Sequence, residues 1–236
     1  MKLRALPRFF LPGAQLDQAP VELPKDEFKK IYSVLRMKSG DQVAVLPNDN
    51  TIWRCELVDK QIIGIEQQLL KTESTLNLTF AQALPKGDKI EEIIRMGSEM
   101  GVAKFIIFAS DRTVVKWDAE RAQAKVARLL AISREACEVS CRGILPEIQI
   151  YRSLEDVLKD NQKSIVLSET EGLPRWLDHA LAEHPREATL VVGPEGGWSP
   201  REVDLISDRA VTLGPRVLRT DTAAISAIAI ALLTRE

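Results

Sequence analysis

Short apolar runs alternate with helix-forming stretches through the last two-thirds of the chain, and this alternation limits the folds available to it. The predicted strands cover residues 76–84, 104–109, 148–151, 164–167, 189–192 and 211–213, and the predicted helices cover 88–100, 118–138, 174–183, 199–207 and 222–233. The run at 189–192 is apolar after Thr189, as a strand buried on both faces is. We therefore predict an α/β fold, with a mostly parallel sheet covered by helices on both faces.

The first part of the chain follows a different pattern, in which short β-type runs are separated by turn residues. Alternating residues at 42–46 and 51–57 flank the polar turn 47–50, which predicts a hairpin. A predicted helix at 25–35 precedes the hairpin, and another β-type run follows at 62–65. This part is expected to form a small β-rich barrel with one helix.

The polar spacer Lys71-Thr72-Glu73-Ser74 separates the two patterns. A chain of 236 residues fits two domains, because domains average about 150 residues. We therefore predict a β-barrel domain over residues 1–72 and an α/β domain over residues 73–236.

Charge and cysteine content narrow the class of protein further. The 32 basic and 34 acidic side chains give a net charge of −2, so no global positive field indicates a nucleic-acid partner. The first 40 residues carry eight basic and four acidic side chains, which fits either a local RNA-binding surface or an ordinary solvated face. The three cysteines form no CxxC pair, which favours a reducing cytoplasm over a disulfide scaffold.

Other classes lack their sequence signatures. The apolar stretch 223–233 has about half the length that a membrane span needs, and residues 1–13 hold no apolar run long enough for a signal-peptide core. The chain has two histidines, His179 and His184, and no HExxH motif. We expect no membrane segment and no metal site, and a metal-dependent or nucleophilic hydrolase is disfavoured.

Two glycine-bearing loops follow strands directly, at residues 193–200 and 213–223. In parallel α/β sheets ligands bind at the carboxyl ends of strands, where glycine lets the backbone approach a ligand and helix N-termini offer free N–H groups. Either loop alone fits a helix-initiating turn, but two such loops indicate one site. The motifs GxGxxG and GxxxxGK[ST] are absent, which argues against a dinucleotide-binding Rossmann fold and against a P-loop nucleotidase.

The segments Gly193-Pro194-Glu195-Gly196-Gly197 and 213–223 resemble the paired C-terminal signature of the RsmE family. Members of that family are small-subunit (16S) ribosomal RNA uridine-N3 methyltransferases of the SPOUT superfamily. The similarity extends to residues 8–10, 34–37, 86–102 and 135–146. Two positions depart from the pattern: Lys30 stands where a histidine is common, and Val139 stands where a glutamine is usual.

The resemblance implies the fold, the cofactor and the partners. It implies a small PUA-like β-barrel that binds RNA, followed by a SPOUT-type parallel sheet with a deep trefoil knot. It implies S-adenosylmethionine held in a bent form by the loops of the knot. It also implies a homodimer that acts on ribosomal RNA or the small ribosomal subunit, and the apolar face of residues 222–233 fits either a dimer contact or core packing.

The resemblance and the residue types together give the site. The cofactor-binding residues are predicted to be Leu167, Gly193, Pro194, Glu195, Gly196, Gly197, Leu213, Gly214, Leu218, Thr222 and Ala223. The RNA-binding residues are predicted to be Arg4, Arg8, Arg36, Lys38 and Arg142. Phe9 or Phe10 is available to stack on a base, although core packing is expected for at least one of them.

Methylation at N3 of uridine requires removal of the N3 proton and stabilisation of charge on O2 and O4. Arg219 is the predicted catalytic residue, and Arg216 is a candidate for anchoring the loop. Glu195 and Asp221 are candidate proton acceptors, with helix capping as the alternative role for each. The competing function is a non-catalytic RNA-binding or ribosome assembly protein that keeps a vestigial methyltransferase fold.

Overall fold

The computed structural model describes residues 3–114, 117, 119–170 and 172–234. The chain divides into two compact units, and each is discontinuous in sequence. The first unit comprises Met1–Glu73 with Cys137–Leu145, and the second comprises Ser74–Ala136 with Pro146–Glu236. The division predicted from the sequence, 1–72 and 73–236, does not include the return of residues 137–145 to the first unit.

The first unit is a five-stranded sheet with one helical segment. Its elements are a 3₁₀ turn at Leu3–Ala5, β1 (Arg8–Phe10), β2 (Val21–Glu22), α1 (Lys25–Lys29) continued by a π-helical turn at Lys30–Val34, β3 (Gln42–Leu46), β4 (Thr51–Val58) and β5 (Gln61–Leu69). The strand order is β1-β3-β4-β5-β2. Strands β3 and β4 pair antiparallel, which confirms the predicted hairpin.

Two apolar clusters fill the first unit. Phe9 belongs to one cluster and Phe10 to the other, and both rings are buried. The expectation that one of them is free to stack on a base was therefore wrong, because successive residues of a strand point to opposite faces and both faces of β1 are covered. Cys137 and Cys141 are buried in the second of these clusters.

The second unit is a six-stranded sheet with helices. Its elements are β6 (Asn77–Ala83), α2 (Lys89–Met100), β7 (Lys104–Phe108), α3 (Ala119–Ser140, whose last turn belongs to the first unit), β8 (Glu147–Tyr151), α4 (Leu154–Asp160), β9 (Ser164–Leu167), α5 (Leu177–Ala182), β10 (Glu187–Val192), α6 (Pro200–Ile206), β11 (Ala210–Val211) and α7 (Thr220–Leu233). The strand order is β11-β9-β10-β6-β7-β8, and each neighbouring pair is parallel. The predicted parallel sheet is confirmed.

Both faces of the central strands of this sheet are buried, as the apolar runs predict. In β7, Phe105 and Ile107 belong to the cluster formed with α2, α5 and α7, whereas Ile106 and Phe108 belong to the cluster formed with α4 and α6. Gly101 ends α2 at the predicted position, in a left-handed conformation with φ of 109°. The sequence interpretation missed α4, although Ser153 caps it by accepting a hydrogen bond from the backbone N–H of Asp156.

Candidate cofactor and active site

A cavity of about 930 Å³ opens where the loops after three adjacent strands meet. Strands β11, β9 and β10 are neighbours in the sheet, and the parallel register aligns Val211 with Leu167 and Val191 with Val166. Their carboxyl ends therefore lie at one edge, where open α/β sheets bind ligands. The lining residues come from 167–176, 192–198 and 212–223, together with Lys89.

The first glycine loop, residues 193–198, is held from beneath by buried polar groups. The Gly193 carbonyl accepts hydrogen bonds from Thr220 Oγ1 at 2.8 Å and from Gln82 Nε2 at 3.2 Å. Gln82 Nε2 also lies 3.1 Å from Thr220 Oγ1. These contacts join the end of β6, the first glycine loop and the start of α7 in one network.

Trp198, at the end of the same loop, fixes it through two further contacts. Its indole Nε1 donates to the Leu167 carbonyl at 2.9 Å, and its ring is stacked on Phe108 with an interplanar angle of 8°. A Cβ added to Gly193 would lie 3.0 Å from this ring, which is closer than ordinary van der Waals contact. Glycine at 193 therefore lets the backbone pass over a fixed indole.

Glu195 forms an ion pair at the cavity wall. Its Oε1 accepts from Lys89 Nζ at 2.9 Å and from the backbone N–H of Lys86 at 3.1 Å. Partial burial acts to raise the pKa of Glu195, but the hydrogen bonds from Lys89 and from the backbone outweigh it, so the pKa lies below its ordinary value. A carboxylate stabilised in this way is a weakened proton acceptor.

The capping alternatives for the two acidic residues are not realised among the described residues. Helix α6 is capped by Ser199, whose hydroxyl accepts from the Glu202 backbone N–H while the Glu202 carboxylate accepts from the Ser199 N–H. Helix α7 begins after Arg219 with no side-chain cap, and Asp221 lies in its first turn. Asp221 Oδ1 is buried and lies 4.0 Å from Lys89 Nζ.

The second glycine loop, residues 213–219, makes fewer hydrogen bonds to its surroundings among the described residues than the first loop does. Thr212 Oγ1 accepts from the Gly214 N–H at 3.0 Å and donates to the Gly214 carbonyl at 3.1 Å. Gly214 has φ of 115°, a conformation that favours glycine. Beyond this turn, Arg216, Val217 and Arg219 are exposed while lining the cavity.

Most of the cofactor-binding residues predicted from the sequence meet at this cavity. Those that line it are Leu167, Gly193, Pro194, Glu195, Gly197, Leu213, Gly214, Leu218 and Ala223, and Arg219 lines it as well. Gly196 and Thr222 do not line it. A Cβ on Gly196 would meet Arg112 Cβ at 3.3 Å, and the Gly196 carbonyl accepts from Arg112 at 2.9 Å, so this glycine faces a neighbouring loop instead.

Sequence reasoning missed a third loop of the site, the segment 168–173 after β9. Ser168, Glu169 and Thr170 line the cavity, as do Trp176 and Trp198. The same strand-end rule that selected the two glycine loops applies to this segment, but its single described glycine, Gly172, did not mark it as a binding loop.

The predicted RNA-binding residues all lie in the first unit, and their surroundings differ. Arg4, Arg36 and Lys38 are exposed, and Arg8 is partly exposed, with its guanidinium donating to the Arg4 carbonyl at 2.7 Å. Their exposure keeps these four residues candidates for phosphate contacts.

Arg142 requires a correction. It is only 2% exposed, and its guanidinium binds the Glu73 carboxylate, with an Nη2 to Oε2 distance of 2.6 Å and an Nε to Oε2 distance of 3.1 Å. Glu73 also accepts from the Gly143 N–H at 3.0 Å. A buried, paired guanidinium is not available to RNA phosphates, so Arg142 fixes the segment 137–145 within the first unit.

Lys30, one of the two departures from the family pattern, is also engaged. Its Nζ lies 2.7 Å from Glu138 Oε2, and Glu138 Oε1 accepts from the Phe10 N–H at 3.0 Å. Val139, the other departure, is exposed. The structure thus gives Lys30 an ion pair within the first unit.

The residues around the cavity fit S-adenosylmethionine. Its volume falls within the usual 300–1,000 Å³ range of ligand pockets. Leu167, Val192, Leu213 and Leu218 offer apolar walls to an adenine ring, while the carboxylate of Glu169 suits a ligand that carries positive charge. Within the described part of the chain, no group of three or more His, Cys, Asp or Glu side chains is placed to hold a metal ion.

Comparisons with known proteins agree with this geometry. Residues 72–232 match the family model described as RNA methyltransferase domain, and residues 23–65 match that described as RNA methyltransferase PUA domain. Ribosomal RNA small subunit methyltransferase E of Bacillus subtilis is 34% identical, with 94% of each chain covered. The enzyme of the same name from Synechocystis is 32% identical over 94% of this chain and 76% of its own.

Solved structures show the same fold. Ribosomal RNA small subunit methyltransferase E from Neisseria gonorrhoeae, bound to S-adenosyl methionine, superposes with a TM-score of 0.82 at 29% identity, covering 95% of both chains. A Legionella pneumophila protein in complex with the bound cofactor SAM superposes with a TM-score of 0.87 at 30% identity, covering 96% of this chain and 97% of that one.

The fold and the cavity, taken with these matches, define an RNA methyltransferase built from a PUA-like sheet and an α/β domain. The chain belongs to the ribosomal RNA small subunit methyltransferase E family. In the part of the chain that the structure describes, no helix has both the length and the apolar character needed to cross a membrane.

Proposed function

We propose that this enzyme transfers the methyl group of S-adenosylmethionine to N3 of a uridine in 16S ribosomal RNA. The observation that carries the proposal is the position of Arg219, an exposed guanidinium on the rim of the cavity formed by the three strand-end loops. Such a group lies beside the bound cofactor and faces a substrate that arrives from outside. S-adenosylmethionine, when bound, supplies an electrophilic methyl group on a sulfonium.

Arg219 acts on the charge that develops during the transfer. When N3 loses its proton, negative charge spreads to O2 and O4 of the uracil ring, and a guanidinium offers several N–H donors to these oxygens. Arg216 lies on the same loop and contacts RNA or holds the loop. The first glycine loop holds the cofactor, because its backbone is fixed by Thr220, Gln82 and Trp198.

Proton removal does not depend on an imidazole of this chain in the proposed mechanism. His179 and His184 lie in and after α5 and are not among the lining residues. Glu195 is engaged by Lys89 and has a lowered pKa, which makes it a poor acceptor. The methylation rate is therefore expected to rise with pH toward the ionisation of the uridine itself, without an inflection near about 6.5.

The remaining features are proposed on the resemblance to the family. The first unit is the RNA-binding domain, with Arg4, Arg8, Arg36 and Lys38 contacting phosphates of ribosomal RNA or the small ribosomal subunit. The α/β domain contains the trefoil knot, and two copies form a homodimer. Helix α7 supports a dimer contact, because the apolar Leu233 at its last position is exposed. The three free cysteines and the ribosomal substrate favour the cytoplasm.

The test is methylation of 16S rRNA and of small subunits from cells that lack the modification, with S-adenosylmethionine as donor. Nucleoside mass spectrometry is expected to show 3-methyluridine, absent when the donor is omitted. The alternative, a non-catalytic RNA-binding or assembly protein, predicts RNA binding with no methylated product. Light scattering coupled to gel filtration tests the homodimer separately, and a monomeric mass would remove it.

A further inference from the structure

We infer that Trp176 is a stacking platform for a nucleobase of the RNA substrate, at the rim of the cavity; the inference rests on the proposed function. Trp176 lines the cavity, yet the residue is 47% exposed. An aromatic side chain that is part exposed at the wall of a ligand cavity offers its face for a planar ligand to stack on.

The backbone on both sides of Trp176 is fixed. The Thr212 N–H donates to the Arg175 carbonyl at 3.0 Å, and the Leu177 N–H donates to the Thr212 carbonyl at 3.2 Å. Trp176 and Thr212 thus form a parallel β-bridge outside the main strands. The sequence pattern predicted a helix from residue 174, but α5 begins at Leu177, because these bonds hold the preceding residues in an extended conformation.

The ring is placed against the second glycine loop. A Cβ added to Gly214 would lie 3.4 Å from Cη2 and 3.5 Å from Cζ3 of Trp176, so the edge of the indole abuts this glycine. Thr212 Oγ1 fixes Gly214 through its N–H and its carbonyl. The indole is therefore held at the rim before a ligand binds, which lowers the ordering cost of binding.

The neighbouring side chains favour RNA as the source of the base. Arg216 and Arg219 line the same rim and are exposed, and Val217, between them, is 74% exposed. Exposed guanidinium groups beside an aromatic face form the combination that binds single-stranded RNA, with phosphates on the cations and a base on the ring. The adenine of the cofactor is the other source of a planar ring, and the apolar Leu167 and Val192 offer it a more buried place.

The experiment compares Trp176→Ala, Trp176→Leu and Trp176→Phe with the wild-type enzyme. Leucine keeps an apolar side chain without a ring, and phenylalanine keeps a ring. Leu205→Ala is the matched control, because Leu205 is an exposed apolar residue of α6 outside the cavity lining. Steady-state methylation of 16S rRNA gives KM and kcat, and calorimetry with S-adenosylhomocysteine gives the cofactor Kd.

The alanine and leucine variants are expected to raise the KM for RNA about tenfold, with a smaller change in kcat and a cofactor Kd within about threefold of wild type. Phenylalanine is expected to restore most of the affinity for RNA. A raised cofactor Kd with an unchanged KM for RNA would assign the ring to the adenine and overturn the inference. An unchanged KM in all three variants, or a changed oligomeric mass, would overturn it as well.

These outcomes are separate from a failure of the proposed function. If the wild-type enzyme forms no 3-methyluridine, the reaction itself is wrongly assigned. If the wild-type enzyme and Leu205→Ala are active and the ring-deleting variants match them, only the role of Trp176 is wrong.

Discussion

The two glycine loops of the site differ in how firmly the rest of the α/β unit holds them. In the first glycine loop, the Gly193 carbonyl, the Glu195 carboxylate and the Gly196 carbonyl each accept a hydrogen bond from outside the loop. In addition, the Trp198 indole N–H donates a hydrogen bond to the Leu167 carbonyl. A loop restrained at four places along its length has few alternative conformations, which suits recognition of a small ligand of fixed shape.

The second glycine loop is fixed at its start, where Thr212 binds Gly214 and the Trp176 ring abuts it. The following side chains of Arg216, Val217 and Arg219 are exposed. We propose that this difference separates two roles: the first loop binds the cofactor together with Leu213 and Leu218, whereas the exposed side chains of the second loop face the RNA. Substitutions in the two loops should therefore change different measured quantities.

Arg219→Ala should produce the largest effect. If the guanidinium stabilises charge on the uracil ring, the single-turnover rate is expected to fall by about 10²–10³, or roughly 3–4 kcal/mol, because the contact strengthens in the transition state. The Kd for S-adenosylhomocysteine, measured by calorimetry, is expected to stay within about threefold of wild type. Lysine should restore the rate only in part, since a point charge does not reproduce the planar fork.

Arg216→Ala is the matched control for Arg219, because both side chains are exposed on the same loop and line the same cavity. It is expected to raise the KM for RNA more than it lowers the single-turnover rate. Near-normal turnover of Arg219→Ala at saturating RNA and cofactor would transfer the catalytic role to Arg216 or, in the proposed homodimer, to a residue of the second copy.

Gly193→Val should act on the cofactor. The added Cβ would lie 3.0 Å from a Trp198 ring that is itself fixed by a hydrogen bond and by Phe108, so the loop must shift. Overpacking of this kind costs about 1–3 kcal/mol, and we expect the Kd for S-adenosylhomocysteine to rise about thirtyfold while circular dichroism stays native.

Gly196→Val is the control within the same loop, and it is expected to change that Kd by less than about threefold. Its Cβ points to Arg112, outside the cavity lining. Equal losses of cofactor affinity in the two valine variants would show that the loop responds as a whole, and the distinction between its inner and outer glycines would fall.

The contrast between Gly193 and Gly196 shows where sequence reasoning reached its limit. The sequence marks both as glycines of one loop after a buried strand, and the rule that ligands bind at strand ends correctly places the loop at the cavity. What an added Cβ would meet depends on the folded backbone: Trp198 at Gly193, and Arg112, which is distant along the chain, at Gly196. A one-dimensional pattern does not contain that information.

Residue type alone was a weaker guide in the first unit. Arg142 was predicted to contact RNA, yet it is buried against Glu73. Phe9 and Phe10 were candidates for stacking, and both are in the core. The hairpin of the same unit was predicted correctly, because alternation around a polar turn is a local signal, whereas the partner of a buried arginine is set by tertiary contacts.

Thr220→Val tests the network beneath the first glycine loop. The substitution removes the hydroxyl that donates to the Gly193 carbonyl and keeps the side-chain volume nearly constant. The free energy of unfolding is expected to fall by about 1 kcal/mol, and the cofactor Kd to rise a few-fold, because Gln82 still binds the same carbonyl. Thr222→Val, at an exposed position in the same turn of α7, is the control and should leave urea denaturation unchanged.

Glu195→Gln should give the smallest effect, and one that depends on pH. The folded protein holds the pKa of Glu195 below its ordinary value, since the hydrogen bonds from Lys89 and the Lys86 N–H outweigh the opposing effect of partial burial. A lowered pKa in the folded state means that the carboxylate stabilises the protein above its unfolded-state pKa, and that this contribution is lost as the pH falls through the folded-state value.

The glutamine variant is therefore expected to be less stable than wild type at pH 7, by under about 1 kcal/mol because the ion pair is partly exposed. The two proteins should converge in urea denaturation as the pH is lowered past that pKa. A stability difference that persists unchanged to low pH would mean that Glu195 acts through packing alone. The ion pair with Lys89 would then not be one of the contacts that restrain the first glycine loop more than the second.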